Sequence, residues 1–82
     1  MKYFWVYRRN RKGILEAPSG YVAKDYSEIE TKYDVLVYEC PNLATLIALS
    51  NLRDMGEREA IREFLEERCK LIRFSKKAES VV

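Results

Sequence analysis

The stretch from residue 33 to residue 54 limits the fold more than any other part of the sequence. Its first seven residues, YDVLVYE, place apolar side chains on both faces of an extended chain, so we expect a central strand over 33–39. Pro41 cannot donate a hydrogen bond to a sheet but suits the first turn of a helix, which we expect from position 42 onward. Strand and helix together carry more apolar side chains than one small chain encloses, and such a surplus is typical of an interface.

Two helices are expected after Pro41. The first, LATLIALSNLRDM, is apolar on more than one side and therefore needs more than one covering surface. Gly56 interrupts the pattern, and Asp54 followed by Glu57 resembles a capping box for a second helix over 57–74, EREAIREFLEERCKLIRF. The apolar positions of this second helix share one face: Ile61, Phe64, Leu65, Cys69 and Ile72.

The first 24 residues predict a hairpin with a cationic tip. KYFWVYR at 2–8 is aromatic and β-branched, as in a strand, and the turn at 8–13 contains Asn10 and Gly13, which tolerate positive φ. The following ILEA, 14–17, is expected to pair back as the second strand. For 21–32 the sequence leaves open a short strand at 21–24 and a capping box from Ser27 to Glu30.

These elements predict one α+β domain over 1–75. A small antiparallel or mixed sheet, made of the N-terminal hairpin and the central strand 33–39, packs against a C-terminal two-helix unit. Residues 76–82 have no core to join, so we expect a flexible tail there. A chain of 82 residues buries only about 60% of its unfolded surface, and a partner subunit is the natural supplement. The expected partner is a second copy, forming a homodimer.

Composition argues against several functional classes. The chain has no His and two Cys, too few ligands for a tetrahedral metal site, and it lacks a glycine-rich phosphate loop. No carboxylate pair is distinguished from ordinary helix-surface charge, so neither an enzyme nor a cofactor is expected. The longest apolar run, 43–49, is too short to span a bilayer, and no signal peptide is recognisable, so we expect a cytoplasmic protein without membrane contact. Abundant Lys, Arg and Glu without Gln or His resemble the composition of proteins from hot environments.

The basic residues are concentrated near the N terminus. Residues 1–24 contain six basic side chains and one acidic one, whereas 25–63 are predominantly acidic. Arginine binds phosphate bidentately and aromatic rings stack on bases, so a nucleic-acid-binding site is one hypothesis for the hairpin. Its residues are Arg8, Arg9, Arg11 and Lys12 at the tip and Tyr3, Trp5 and Tyr7 on the adjoining strand. The alternative is a solvated turn beside an aromatic core.

The two cysteines form a second candidate pair. If the helices fold back on each other at Gly56, Cys40 lies within about one helical turn of Cys69. A disulfide between them is one interpretation, and two buried thiols acting as small apolar side chains is the other.

Residues 33–72 also resemble a ribbon-helix-helix DNA-binding domain. The resemblance consists of a strand, two helices and a charged stretch that opens the second helix, GEREAIRE at 56–63. It implies an interlocked dimer and DNA contacts from the strand. The sequence differs from the family in that Asp34 and Glu39 occupy the strand, where the family's ribbon carries basic or amide side chains, and Gly56 stands in place of a Ser or Thr cap.

Taken together, the residues predict a small, non-enzymatic, homodimeric binding or regulatory protein that acts through contacts with itself and with another protein. Nucleic-acid binding through the basic hairpin is the alternative.

Overall fold

A four-stranded antiparallel sheet with both helices on one face organises the chain. The computed structural model describes residues 1–25, 28–29 and 35–75. Within them the elements are β1 (Lys2–Arg8), β2 (Ser19–Ala23), β3 (Val35–Cys40), α1 (Leu43–Asp54), α2 (Arg58–Arg68) and β4 (Lys70–Ser75). The strand order is β2-β1-β3-β4. The predicted fold class, a small α+β domain with a sheet against a two-helix unit, is confirmed.

The alternating side chains of β1 divide the core into two layers. Trp5 faces the helices and lies between Gly20 of β2 and Tyr38 of β3 in the sheet register. Phe4 and Val6 point to the opposite face, where Val37 joins them. Both layers are buried, so β1 is central rather than peripheral. The helix-side cluster contains Trp5, Cys40, Leu46, Leu49, Ile61 and Leu65, and the other contains Phe4, Val6, Ala23, Ile29 and Val37.

Helix α1 begins at a side-chain cap and lies directly on the sheet. The Asn42 side-chain oxygen accepts hydrogen bonds from the backbone N–H and the hydroxyl of Thr45, both at 2.9 Å, which satisfies one of the donors left open at a helix start. Leu46 packs against Gly20, where even a Cβ atom would come within 3.3 Å of the leucine methyl groups. Absence of a side chain at Gly20 is therefore what allows α1 to approach β2.

A tight turn joins the two helices. Met55 caps α1, and Gly56 has φ +75°, a left-handed conformation that glycine adopts without strain. The predicted capping box is wrong: Asp54 still belongs to α1, and Glu57 is itself the residue before α2 and makes no side-chain cap hydrogen bond. The positive φ at Gly56 sets this turn instead.

The predicted second helix is too long, and the last strand was not expected. α2 ends at Arg68, Cys69 is extended, and β4 pairs with the edge of β3. Helical spacing therefore misplaced Cys69 and Ile72, because KLIRF fits a strand as well as a helix and β3 has an open edge to pair. The register shifts by one residue between Val37 and Tyr38, which lets Ile72 pack on the face opposite the helices.

The hairpin also differs in its second strand. The predicted strand 14–17 is loop apart from a single bridge between Arg9 and Leu15, and the partner of β1 is β2, which includes most of the alternative strand at 21–24. Of the two residues expected to tolerate positive φ in the turn, only Gly13 adopts it, with φ +83°. Asn10 supports the turn through its side chain instead, because its Oδ1 accepts from the backbone N–H groups of Lys12 and Ile14. The Ser27 to Glu30 capping box, residues 33–34 of the predicted strand and the tail 76–82 lie outside the described residues.

Candidate binding site

The aromatic residues proposed for base stacking belong to the core. Trp5 is fully buried, and the guanidinium of Arg53 lies 5.9 Å from its ring centroid. Tyr3 and Tyr7 are half-buried and pack against the same helix-side cluster. With no exposed ring face on Trp5, the nucleic-acid hypothesis depends on the cations of the hairpin rather than on stacking.

Those four cations divide into two pairs. Arg8 donates from Nη1 to the Tyr21 hydroxyl at 2.6 Å and stacks over that ring, and Arg9 donates to the Gly13 carbonyl at 2.7 Å. Arg8 and Arg9 therefore support the hairpin. Arg11 and Lys12 are exposed at the turn. Nucleic-acid binding stays a prediction of the sequence, with these two side chains as its most accessible cations.

A cavity of about 580 Å³ lies between α2 and the sheet, a volume within the range of small-ligand sites. We refer to it as the α2 cavity. Its floor is made by side chains on the helix side of β1 and β3, its wall by the inner face of α2, and its mouth by the loop between β1 and β2. The lining residues are Tyr7, Leu15, Glu16, Ala17, Pro18, Leu36, Tyr38, Arg53, Gly56, Arg58, Ile61, Arg62 and Leu65.

The floor of the α2 cavity is apolar with two phenol groups. Leu36 pairs with Tyr7 in the register of β1 and β3, and Tyr38 lies two residues along the same face. Burial, and next the neighbouring Tyr7, raise the pKa of Tyr38 above 10.0. Tyr38 therefore keeps its proton at neutral pH and offers a hydroxyl donor at the edge of an apolar surface.

The charged residues that line the α2 cavity are three arginines and one carboxylate, Glu16. Arg58 and Arg62 are four residues apart, so they lie on the same side of α2. Arg62 forms an ion pair with Glu59 at 2.7 Å, and both side chains are more than two-thirds exposed, so the pair contributes little and opens readily. Arg53 is fixed by a hydrogen bond to the Pro18 carbonyl at 2.8 Å. Arg53 also donates to Asp54 at 3.2 Å, so its guanidinium is already engaged. Arg58 and Arg62 beside an apolar floor suit a ligand that carries an anionic group on an apolar body.

The two cysteines lie together at the other end of the helix layer. Their Sγ atoms are 3.2 Å apart and both thiols are free. Burial is the main cause that raises the pKa of Cys40 and of Cys69, so both are protonated at neutral pH. Cys40 and Cys69 are neighbours, as the sequence predicted, but Cys69 reaches Cys40 from the end of α2, where β4 begins to pair with β3, rather than from within a longer helix.

A small apolar patch remains on the surface of α1 and the edge strand β2. Leu43 and Ile47, one turn apart on α1, are 49% and 54% exposed, and Val22 on the helix side of β2 is 48% exposed. Leu46, the neighbour of Ile47 on α1, contacts Gly20, which is two residues from Val22 on β2. Leu43 and Ile47 belong to the helix for which an apolar surplus was predicted, whereas Val22 of β2 does not.

Sequence reasoning missed the α2 cavity entirely. Arg58 and Arg62 look like any exposed helix charges, and Leu36 and Tyr38 like any strand core. Among the described residues no group of three or more His, Cys, Asp or Glu is placed to hold a metal ion. In the same part of the chain, neither helix is long and apolar enough to cross a bilayer.

Comparison with protein-family models, with curated proteins and with solved structures finds no match to this chain.

Proposed function

We propose that this chain is a non-enzymatic binding protein whose α2 cavity receives an acidic, partly apolar segment of a partner protein. The proposal is supported by the combination of an apolar floor with Arg58 and Arg62, which outnumber the one carboxylate of the lining, Glu16. An apolar side chain of the partner fills the space over Leu36, and an adjacent carboxylate meets Arg58 and Arg62. Burial of the apolar part contributes affinity, and the charged part fixes orientation.

The cavity is more consistent with a binding role than with a packing defect. An apolar cleft that is partly open to water leaves its lining side chains short of dispersion contacts, and a domain of 82 residues has little stability in reserve. A ligand that fills the void restores those contacts. The cavity is partly open to solvent, and residues 15–18 are among those that line it.

An anionic aromatic probe tests the site directly. Anilinonaphthalene sulfonate has an apolar ring system and one anionic group, so its fluorescence should rise and saturate with the folded protein. Arg58→Glu should weaken binding about 10-fold or more, because it replaces a charge-assisted contact by repulsion. Arg11→Glu is the matched control, since it makes the same charge change at the hairpin turn and should leave affinity unchanged. Equal affinities in the two variants would remove the cavity from consideration.

Competition with a peptide distinguishes a protein partner from a small ligand. A short synthetic peptide with one phenylalanine between glutamates should displace the probe, whereas its alanine-for-phenylalanine version should not. Displacement by a fatty acid such as decanoate but not by the peptide would assign the cavity to small molecules. A thermal melt of each variant confirms that the probe reports the folded state rather than a loosened one.

Self-association is the second candidate, and the border formed by Val22, Leu43 and Ile47 favours it. A second copy that covers this border would explain why α1 is apolar on its outer side. Light scattering after size exclusion should give the mass of a dimer at micromolar concentration, and Ile47→Glu should convert it to a monomer. Ile14→Glu, a change at a 60% exposed residue of the hairpin loop, is the control. A wild-type monomer under these conditions would exclude the dimer.

A further inference from the structure

Cys40 and Cys69 lie side by side where the pairing of β3 and β4 ends. Glu39 pairs with Lys70 as the last pair of the register, Cys40 follows Glu39 as the last residue of β3, and Cys69 precedes Lys70 as the extended cap between α2 and β4. The Sγ atoms face each other at 3.2 Å, about 1.2 Å longer than the sulfur–sulfur bond of a disulfide, so a small shift of the two side chains brings them to bonding distance.

We infer that Cys40 and Cys69 form a reversible intramolecular disulfide, and that the bond fixes the wall of the α2 cavity. The bond joins residues 29 positions apart in sequence and closes a loop that contains both helices. The second half of the inference rests on the proposed function. It follows from the contacts of Cys69, whose N–H donates to the Leu65 carbonyl at 2.9 Å, and Leu65 lines the cavity.

The oxidation requires an acceptor of two electrons, and a low-molecular-weight disulfide supplies it. Cys69 is the more exposed thiol, so its thiolate attacks the small disulfide, forms a mixed disulfide and releases one small thiol. The thiolate of Cys40 then attacks the Cys69 sulfur and releases the second small thiol. The protein loses two hydrogen atoms, and the small disulfide is reduced to two thiols. A small dithiol reverses both steps.

Burial of the two thiols determines the expected rate of this thiol–disulfide exchange. The raised pKa of each thiol keeps the thiolate fraction small at neutral pH, so the exchange is slow. Slow exchange between two facing thiols is typical of a structural bond that responds to a sustained redox change. It differs from a catalytic thiol, which is exposed and already ionised.

The full chain, treated with oxidised glutathione, tests the bond. Titration of free thiols after denaturation should fall to none, and the mass should decrease by two hydrogen atoms without a glutathione adduct. The melting temperature should rise by about 10–20 °C over the reduced form, because the closed loop restricts the unfolded chain. Free thiols that persist in the folded protein, when the denatured chain is oxidised under the same conditions, would overturn the inference. Disulfide-linked dimers would overturn it as well.

Serine variants and the probe separate the two halves of the inference. Cys40→Ser and Cys69→Ser should each abolish the redox dependence of the melting temperature while the reduced fold persists. Oxidised and reduced wild type should differ at least 2-fold in their affinity for anilinonaphthalene sulfonate. Equal affinities would overturn the link between the bond and the cavity but not the bond. A protein that forms the bond and binds no probe in either state would refute the proposed function alone.

Discussion

The two helices lie on the same face of one sheet but meet it differently. α1 lies close over β1, β2 and β3, whereas the close contacts of α2 are with α1. Under α1 the sheet presents Gly20, and under α2 it presents the bulky side chains of Tyr7, Leu36 and Tyr38. A helix approaches a sheet as closely as the side chains between them allow. The difference places a dense core under the first helix and a cavity under the second.

One buried leucine in each helix shows the same difference between the packing under α1 and the packing under α2. Leu49 of α1 is fully buried, and Leu65 of α2 is nearly so, yet only Leu65 lines a cavity. Burial by itself therefore does not distinguish packed from loosely packed positions. The two kinds of position differ in how many contacts are lost when the side chain is shortened to alanine. The loss of unfolding free energy on that substitution measures the difference.

The largest expected effect separates these two leucines. Leu49→Ala should lower the free energy of unfolding by about 3–5 kcal/mol, because the dense surroundings cannot collapse into the new void. Leu65→Ala should cost about 2–3 kcal/mol, because that side chain has fewer contacts to lose. Chemical denaturation of both variants gives the comparison, with Leu43→Ala, at a half-exposed position of α1, expected to cost less than about 1 kcal/mol. Equal costs at 49 and 65 would mean that α2 packs as tightly as α1.

The next effect tests what holds α1 close to the sheet. Gly20→Val should lower stability by about 1–3 kcal/mol, because two methyl groups must enter the space that the Leu46 side chain occupies. Val22→Ile, on the same strand and the same face, is the control and should change stability by less than about 0.5 kcal/mol. Denaturation midpoints of the two variants give the measurement. An unchanged midpoint for Gly20→Val would contradict direct packing of α1 on β2.

Much of this fold follows from the sequence because several local signals agree. Residues 2–8 are strand-like in composition, Pro41 and Asn42 start a helix, and Gly56 ends the first helical segment. The end of α2 could not be predicted from the sequence, because residues 70–74 fit a helix and a strand equally well. Pairing with the open edge of β3 makes them a strand. Pairing between distant strands is a tertiary effect that local periodicity does not contain.

The cavity was beyond sequence reasoning for a related reason. It arises because the side chains of the sheet under α2 are larger than those under α1. Which side chains lie under each helix depends on the register of the strands and on the position of α1. Cys40 and Cys69 were paired from sequence, but only the strand register explains their contact. Apolar residues on α1 were correctly expected to exceed what the chain covers, as exposed Leu43 and Ile47 illustrate.

A larger side chain in the cavity should make the packing under α2 more like the packing under α1. Leu36→Phe places a larger side chain into the space above β3, so it should raise stability by about 0.5–1 kcal/mol and weaken probe binding by occupying part of the cavity. Leu71→Phe, at a half-exposed position on the same face of β4, should change neither quantity. Thermal melts and probe titrations measure both. Retained probe affinity in Leu36→Phe would place the bound probe elsewhere on the protein.

The smallest effect concerns Tyr38. The pKa of its hydroxyl depends on how much water reaches the floor of the α2 cavity. Its pKa is raised above 10.0 in the folded protein, chiefly by burial, so the folded state holds that proton more tightly than the unfolded state. The associated stability is complete below pH 10 and is lost as pH rises through the folded pKa. Cys40 and Cys69 contribute a loss of the same sign from about pH 9, so the comparison needs the double serine background. In that background Tyr38→Phe should reduce the decline of unfolding free energy above pH 10. An identical decline with and without the hydroxyl would mean that water reaches the floor beneath α2 as freely as it reaches the surface.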